Sequence, residues 1–343
     1  MINTKHQTQV MTLPTNVFVV KPNSDDFLYL TKTLYAENEI PHTNQPNTSH
    51  LINCYVFKAN NVIVGRFALY HNLSIKIDNQ KTCIVGSYEC VNDLELSQAL
   101  ILNIKIISKQ LNTTKLIGPM EGSTWQNYRF TTSKNTPLFF TESCNKPYYS
   151  NQFINGGFNE LSTYSSTLDS NIECNLKRLK QFKEKFEPHN LIIRNLNLDD
   201  FENELIKIGQ FCNATFNSNY LFSTLDPNLF AKKYRTIKSK IEAELFIIVE
   251  DEKGEVQAFL FSIPNYLDTS KKSIIIKSMA TLPKRHLAGL QIYLGELMYS
   301  KAISMGYSKA IHAYMIEDNM SKGLSRKFNS EPYKKHILYQ MDI

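Results

Sequence analysis

The chain is poor in the residues that staple or anchor a protein. Its 343 residues include six cysteines, one tryptophan, twelve glycines and twelve prolines. No pair among Cys54, Cys83, Cys90, Cys144, Cys174 and Cys212 has C-x-x-C spacing, and no histidine cluster accompanies them. That excludes the usual zinc and dithiol patterns, so no metal is expected. Each thiol reads as a small buried hydrophobe, and scattered thiols in a chain this long point to a reducing, cytoplasmic compartment. No apolar run is long enough to span a membrane; Ala99–Ile107 is interrupted by Asn103 and Lys105. The opening MINTKHQTQVMTLPTN lacks the apolar core of a secretory signal, and its first dozen residues are expected to be disordered. The net charge of +6 is spread without a single basic block. It suits a small anionic ligand better than a nucleic-acid track.

Length and a hydrophobic content of 42% suit a soluble protein with two cores. The boundary is expected near NIECNLKRLKQFKEKFEPHN, where Leu176, Leu179, Phe182 and Phe186 fall at helical spacing and Pro188 ends the run. This gives an N-terminal domain over 1–170, a bridging helix over 171–189 and a C-terminal domain over 190–343. The lysines of that helix, interleaved with Glu184 and Glu187, read as a solvated face.

In the second half, strands are expected at 191–194, 244–250 and 256–264, with helices at 199–213 and 228–239. In the first half, strands are expected at 17–20, 54–58, 62–69 and 83–90, with helices at 25–37 and 93–111. The order strand, helix, hairpin, strand, helix, strand recurs at about half the chain length, which indicates a duplicated fold and not a short repeat.

The most informative stretch runs from Ile274 to Ser321. The β-branched run Ile274–Ile276 suits a buried strand, and Pro283 stops it. Lys284, Arg285 and His286 add positive charge, and Ala288 and Gly289 are small enough for backbone to approach a ligand. Leu290, Leu294, Leu297, Met298 and Ala302 then have helical spacing, Gly306 suits a helix end, and Ala310–Met315 reads as a strand. The uncapped first turn of such a helix favours an anion, so the arrangement suits a pyrophosphate-bearing cofactor. The same order also describes any βαβ unit.

The segment resembles motif A of the GNAT acyltransferases. Arg285-His286-Leu287-Ala288-Gly289-Leu290 stands where that family has Gln or Arg, two residues, Gly, one residue, and Gly or Ala. Here Ala and Leu replace the two glycines. Met279–Pro283 precedes the turn, and His312–Met315 leads to Asn319. The resemblance covers roughly 190 to 343. It implies an α/β protein of two GNAT-like mixed α/β domains in tandem joined by a helix. It also implies acyl-CoA, acetyl or longer, as co-substrate, held by Met279, Ala280, Thr281, Leu282, Lys284, Arg285, His286, Leu287, Ala288, Gly289, Asn319 and Ser321. An acyl-carrier protein is a second admissible donor.

The first half has Val91-Asn92-Asp93 where the second has its basic turn. An acid at a helix N-terminus caps it and repels a pyrophosphate, so no cofactor is expected there. That half instead carries Gly118-Pro-Met-Glu-Gly-Ser-Thr-Trp125-Gln-Asn-Tyr128-Arg129, and later Pro147-Tyr148-Tyr149. These stretches resemble those of GNAT-like proteins of similar length. Glu121, Trp125, Tyr128 and Tyr149 are expected to line an acceptor pocket between the halves, or the aromatics close a core.

Transfer of an acyl group to an amine needs a base, an oxyanion donor and an acid for the thiolate. His312 is the first candidate base, with Glu142, Glu121 and Tyr149 as further catalytic candidates from the first half; the alternative for His312 is a hydrogen-bonded core residue. The tyrosine that the family often uses as acid is missing, since Leu324-Ser325-Arg326-Lys327 stands near its place; Ser325 or water substitutes, or the acid comes from elsewhere. The expected activity is N-acylation of a small amine or amino-acid derivative. The alternatives are a non-catalytic acyl-CoA- or partner-binding protein, and an aminoacyl-tRNA-dependent transferase.

Overall fold

The computed structural model describes residues 14–36, 45–133, 136–316, 323 and 325–343. The first dozen residues, Asn319 and Ser321 therefore lie outside the described residues. The strands are β1 (Val17–Val20), β2 (Leu51–Ala59), β3 (Val62–Tyr70), β4 (Lys76–Ile77), β5 (Gln80–Cys90), β6 (Lys115–Gly118) and β7 (Phe130–Thr131). They continue as β8 (Asn159–Asp169), β9 (Ile192–Asn195), β10 (Phe246–Glu250), β11 (Val256–Pro264), β12 (Ser273–Thr281), β13 (Lys309–Ile316) and β14 (Glu331–Asp342). The helices are α1 (Asp25–Leu34), α2 (Leu94–Gln110), α3 (Tyr149–Asn155), α4 (Leu176–Phe186), α5 (Phe201–Thr215), α6 (Pro227–Arg235) and α7 (Leu290–Ser304).

The chain forms two compact units. The first comprises 1–130, 143–161 and 337–343, and the second 131–142 and 162–336. In the first unit the strand order is β1-β2-β3-β5-β6-β14. Pairing is antiparallel except for the parallel pair β5–β6, joined through α2. Leu100, Ile101, Ile104 and Ile107 of α2 pack on Phe67, Leu69 and Val85 of the sheet. Asp93 caps α2 by accepting from the amide of Leu96 at 2.9 Å, as an acid at that position should.

In the second unit the order is β14-β8-β13-β12-β11-β10-β9. Again one pair, β12–β13, is parallel, and α7 makes the crossover. Leu290, Leu294, Met298 and Ala302 of α7 bury against Ile247, Val249, Leu260 and Ile274. On the other face Phe211 of α5 and Tyr234 of α6 meet Phe259 and Phe261 of β11.

Two separate tandem sheets divided at a helix are not what forms. Residues 164–169 of β8, which precede α4 in sequence, pair with β13. Residues 339–342 of β14, at the end of the chain, pair with β6. Each unit thus completes its sheet with a strand from the other half of the sequence. The physical reason is that β6 and β13 each leave a row of amides and carbonyls needing a partner, and any strand of fitting pattern can supply one. The helix expected to bridge two domains, α4, lies wholly in the second unit.

Candidate functional site

The parallel ladder of β12 and β13 is short. It runs from Ser273–Lys309 to Ile276–His312 and ends there, although β12 continues to Thr281 and β13 to Ile316. A bulge lies at the branch: Phe261 opposes Ser278 while Ser262 opposes Ile276, so Lys277 is the extra residue of β12. On the other arm, the register of β13 with β8 shifts between His312 and Met315, and Tyr314 has φ 61°. Such irregularities bend a strand and re-aim it. From Ser278 to Thr281, β12 keeps β11 on one side, and among the described residues no strand pairs with its other edge. Alternate amides and carbonyls of that edge have no ladder to complete. The Thr281 hydroxyl adds a buried oxygen with no partner among the described residues.

Beyond Pro283, Arg285–Leu287 forms one 3₁₀ turn, and Gly289 is the N-cap of α7 with φ 90°. Glycine is required there on two grounds. Its φ is left-handed, and a Cβ would lie 2.7 Å from the Phe182 ring of α4. No side chain caps α7, so the amides of Leu290 and Gln291 have no intrahelical partner, whereas that of Ile292 donates to Gly289. Lys284, Arg285, His286 and Ala288 are exposed, and Leu287 is buried in the core. Met279 and Leu282 pack at the margin of that core, and Ala280 is buried, so these three offer the site chiefly backbone.

One cation at this turn was not foreseen from the sequence. Lys185 of α4 donates to the Ala288 carbonyl at 2.6 Å, and the His189 ring lies 5.3 Å from that of His286. The arrangement follows from how α4 docks. Phe186 stacks on Tyr293 of α7, and Glu296 accepts from the Asn175 amide at 2.7 Å and from Arg178 Nε at 2.6 Å. The apolar stripe of α4 was legible, but its partner helix was not.

His312 is buried and bonded on both sides. Its Nε2 lies 2.9 Å from the Tyr299 hydroxyl, and its Nδ1 lies 2.9 Å from Ser325 Oγ. Tyr299 donates to Asp169 Oδ2 at 3.0 Å. Burial lowers the His312 pKa to about 4, so the ring is neutral at pH 7. Burial, followed by the Asp169 carboxylate, raises that of Tyr299, so its proton stays in place. Asp169 carried no signal in the sequence, because β8 did not read as a strand; Tyr299 lies on α7, which did read as a helix, but nothing local named its partners.

Glu142 sits among other partners. Its carboxylate meets Lys334 Nζ at 2.6 Å, with both side chains 1% exposed. It also accepts from Thr131 Oγ1 at 2.9 Å and from the Phe139 amide at 3.1 Å. Thr131 and Ser166 bracket His336 at 2.9 and 3.0 Å. A carboxylate so fully bonded and buried has no exposed face for an acceptor.

The remaining candidates lie in the first unit. Tyr149 has 0% exposure and packs against Tyr88, Phe130 and Phe153. Its hydroxyl donates to buried Glu89, which also accepts from Tyr35 at 2.9 Å. It is a core residue and not a pocket wall. Trp125 and Tyr128 are partly buried, and the Arg129 guanidinium lies 3.7 Å over the Tyr128 ring. Glu121 accepts from Ser87 Oγ at 2.7 Å and from the Asn47 amide at 3.3 Å.

This unit has its own branch. The β5–β6 ladder ends at Ile84–Ile117, and Ser87 has φ 48° where β5 slips against β3. Here α3 and its preceding turn occupy the strand end. Tyr148 donates to the Cys90 carbonyl at 3.2 Å, and Gln152 donates to that of Val91 at 2.8 Å. The first unit thus fills with its own side chains the place that the second leaves open.

Among the described residues, no group of histidine, cysteine or acidic side chains could hold a metal ion, and no helix is long and apolar enough to cross a membrane.

No protein-family model and no curated protein matches the chain by sequence. Solved structures match it by shape. One is a GCN5-related glucosamine N-acetyltransferase region in a fungal multi-domain GH3 β-N-acetylglucosaminidase, with a TM-score of 0.58 and 10% identity. It aligns with 95% of this chain, which spans only 38% of that protein's length. A tandem GNAT protein from the clavulanic acid biosynthesis pathway aligns over 95% of this chain and 98% of its own, with a TM-score of 0.52 and 10% identity. A GCN5-related N-acetyltransferase from Sphaerobacter thermophilus gives a TM-score of 0.51 at 8% identity, over 96% of this chain and 97% of its own. At such identities the likeness is one of fold: the chain has the mixed α/β fold of GNAT-type proteins.

Proposed function

We propose that this chain is an acyl-CoA-dependent N-acyltransferase whose donor site lies in the second unit, and that its units are two copies of one plan of which only the second kept that site. The observation that carries the reading is the branch beyond Ile276–His312, followed directly by a glycine-opened helix N-terminus. An extended amide-rich chain would add to the free edge of β12 between Ser278 and Thr281, as a strand does. A pyrophosphate would meet the amides of Gly289, Leu290 and Gln291, with Lys185 and Arg285 supplying charge. The unpartnered Thr281 hydroxyl is a ready donor along the way. When bound, the donor supplies an acyl group activated as a thioester.

The chain's own residues handle the proton. An attacking amine must lose one, and His312 is neutral and able to accept it. It does so through Ser325, which stands at its Nδ1. The acceptor is a small amine or amino-acid derivative, and the acyl chain is acetyl or longer.

Titration calorimetry with acetyl-CoA tests the reading. We expect binding by the full chain, and binding about tenfold weaker in Lys185→Glu, equal to about 1.4 kcal/mol. Absence of both binding and consumption of acetyl-CoA and longer acyl-CoA across a broad amine panel would overturn it.

A further inference from the structure

We propose that Ser325 is a covalent acyl acceptor, its Oγ carrying the acyl group as an ester before the amine receives it. The proposal rests on the acyl-transfer reading above and adds a step to it. What supports it is an ordered run of four buried side chains: Asp169, Tyr299, His312 and Ser325, exposed by 2%, 1%, 7% and 2%.

The direction of each hydrogen bond follows from the proton count. Tyr299 has a single hydroxyl proton, and it points to Asp169 Oδ2. The Tyr299 oxygen therefore accepts from His312, which places the imidazole proton on Nε2. His312 Nδ1 is then an acceptor, and the hydroxyl in front of it is that of Ser325 at 2.9 Å. Thr167 Oγ1 and Ser330 Oγ each lie 2.8 Å from Ser325 Oγ. With the Ser325 proton directed at His312, the Thr167 hydroxyl is placed to donate to its oxygen, while Ser330 donates to the Ser325 carbonyl at 3.1 Å. A serine whose proton faces an imidazole that is itself oriented by a third and fourth group has the arrangement of an activated nucleophile.

Its place in the fold agrees. His312 is the last residue of β13 in the parallel ladder, so Ser325 attaches at the point where β12 leaves it. Burial there keeps water from an ester once formed.

The step balances without a further reactant. Ser325 Oγ bonds to the thioester carbonyl carbon, and its proton passes to His312 Nδ1. The carbon–sulfur bond breaks, and the departing sulfur takes that proton. The amine nitrogen then bonds to the ester carbon, the carbon–oxygen bond breaks, and the amine's proton returns through His312 Nδ1 to Ser325 Oγ. Asp169, through Tyr299, steadies the charge on the imidazole in both halves.

The experiment is to mix the full chain with acetyl-CoA in the absence of amine, quench with acid, and measure intact mass and peptide masses. We expect a gain of one acetyl group on the peptide holding Ser325, release of an equal amount of CoA, and loss of the adduct on treatment with hydroxylamine. Ser325→Ala should show no adduct. Ser325→Cys, which keeps a nucleophile of similar size, should be acetylated at the new thiol. An adduct confined to other residues would overturn the proposal. So would amine-dependent CoA release in Ser325→Ala at a rate within about twofold of the native chain; in that case acyl transfer stands and only the covalent step falls. If calorimetry finds no acetyl-CoA binding, both fall together.

Discussion

Glu296 of α7 has no exposed surface, and it holds Arg178 of α4 with Nε at 2.6 Å. The same carboxylate accepts from the Asn175 amide, so one buried acid fixes the first turn of α4 to the middle of α7. That docking brings Phe182 against Gly289 and Lys185 onto Ala288 at the far end. Glu296→Ala should cost about 2–4 kcal/mol, since it strands a partly buried guanidinium and an orphan amide. Urea unfolding measures it. A change below about 0.5 kcal/mol would mean that α4 stays docked without the pair.

His312 makes stability depend on pH in a defined window. Its folded pKa of about 4 lies below the ordinary value of 6.5, and burial is the cause. Between those values the unfolded chain binds the proton and the folded chain does not. Stability is therefore lost as pH falls from 6.5 to 4, by about 3 kcal/mol from this one group. Urea midpoints of the native chain and of His312→Asn, compared from pH 7 to 4.5, check the sign. The gap between the two curves should change across that range. Parallel curves would place His312 in water.

The pair of Glu142 and Lys334 should behave as a structural unit. Glu142→Gln leaves the Lys334 ammonium buried without its counter-charge and should cost about 3–5 kcal/mol. Glu142→Leu with Lys334→Met together should cost less than either change alone, because no charge is left behind. Thermal unfolding of the three variants distinguishes the outcomes. A Glu142→Gln chain that keeps its full Tm but loses turnover would make Glu142 the catalytic base.

Much of the fold was legible because its elements are locally consistent. β1 and β11 fall where strands were expected at 17–20 and 256–264, and α2 starts at the acid expected to cap it. The turn at Gly289 was legible as a turn for a similar reason, since a small residue there separates basic residues from an apolar helical stripe. Less was legible where a residue's role depends on a partner distant in sequence. Tyr149 reads as a pocket aromatic, yet Glu89 and the β5 end claim it for the core. Glu142 reads as a free acid until Lys334 comes beside it.

By itself the sequence determined the repeated order of strands and helices, the basic glycine turn in the second half, and the capping acid in the first. Those features arise from contacts within a dozen residues, where side-chain type and spacing set the outcome. The tertiary structure alone decided which strands complete each sheet, and so where the units divide. β8 and β14 pair with β13 and β6 across long stretches of chain, and nothing local to either strand names its partner. The same pairing brings Asp169 and Thr167 of β8 to Tyr299 and Ser325. A hydrogen-bonded chain through His312 therefore exists only once an edge left open in one half has been closed by a strand from the other.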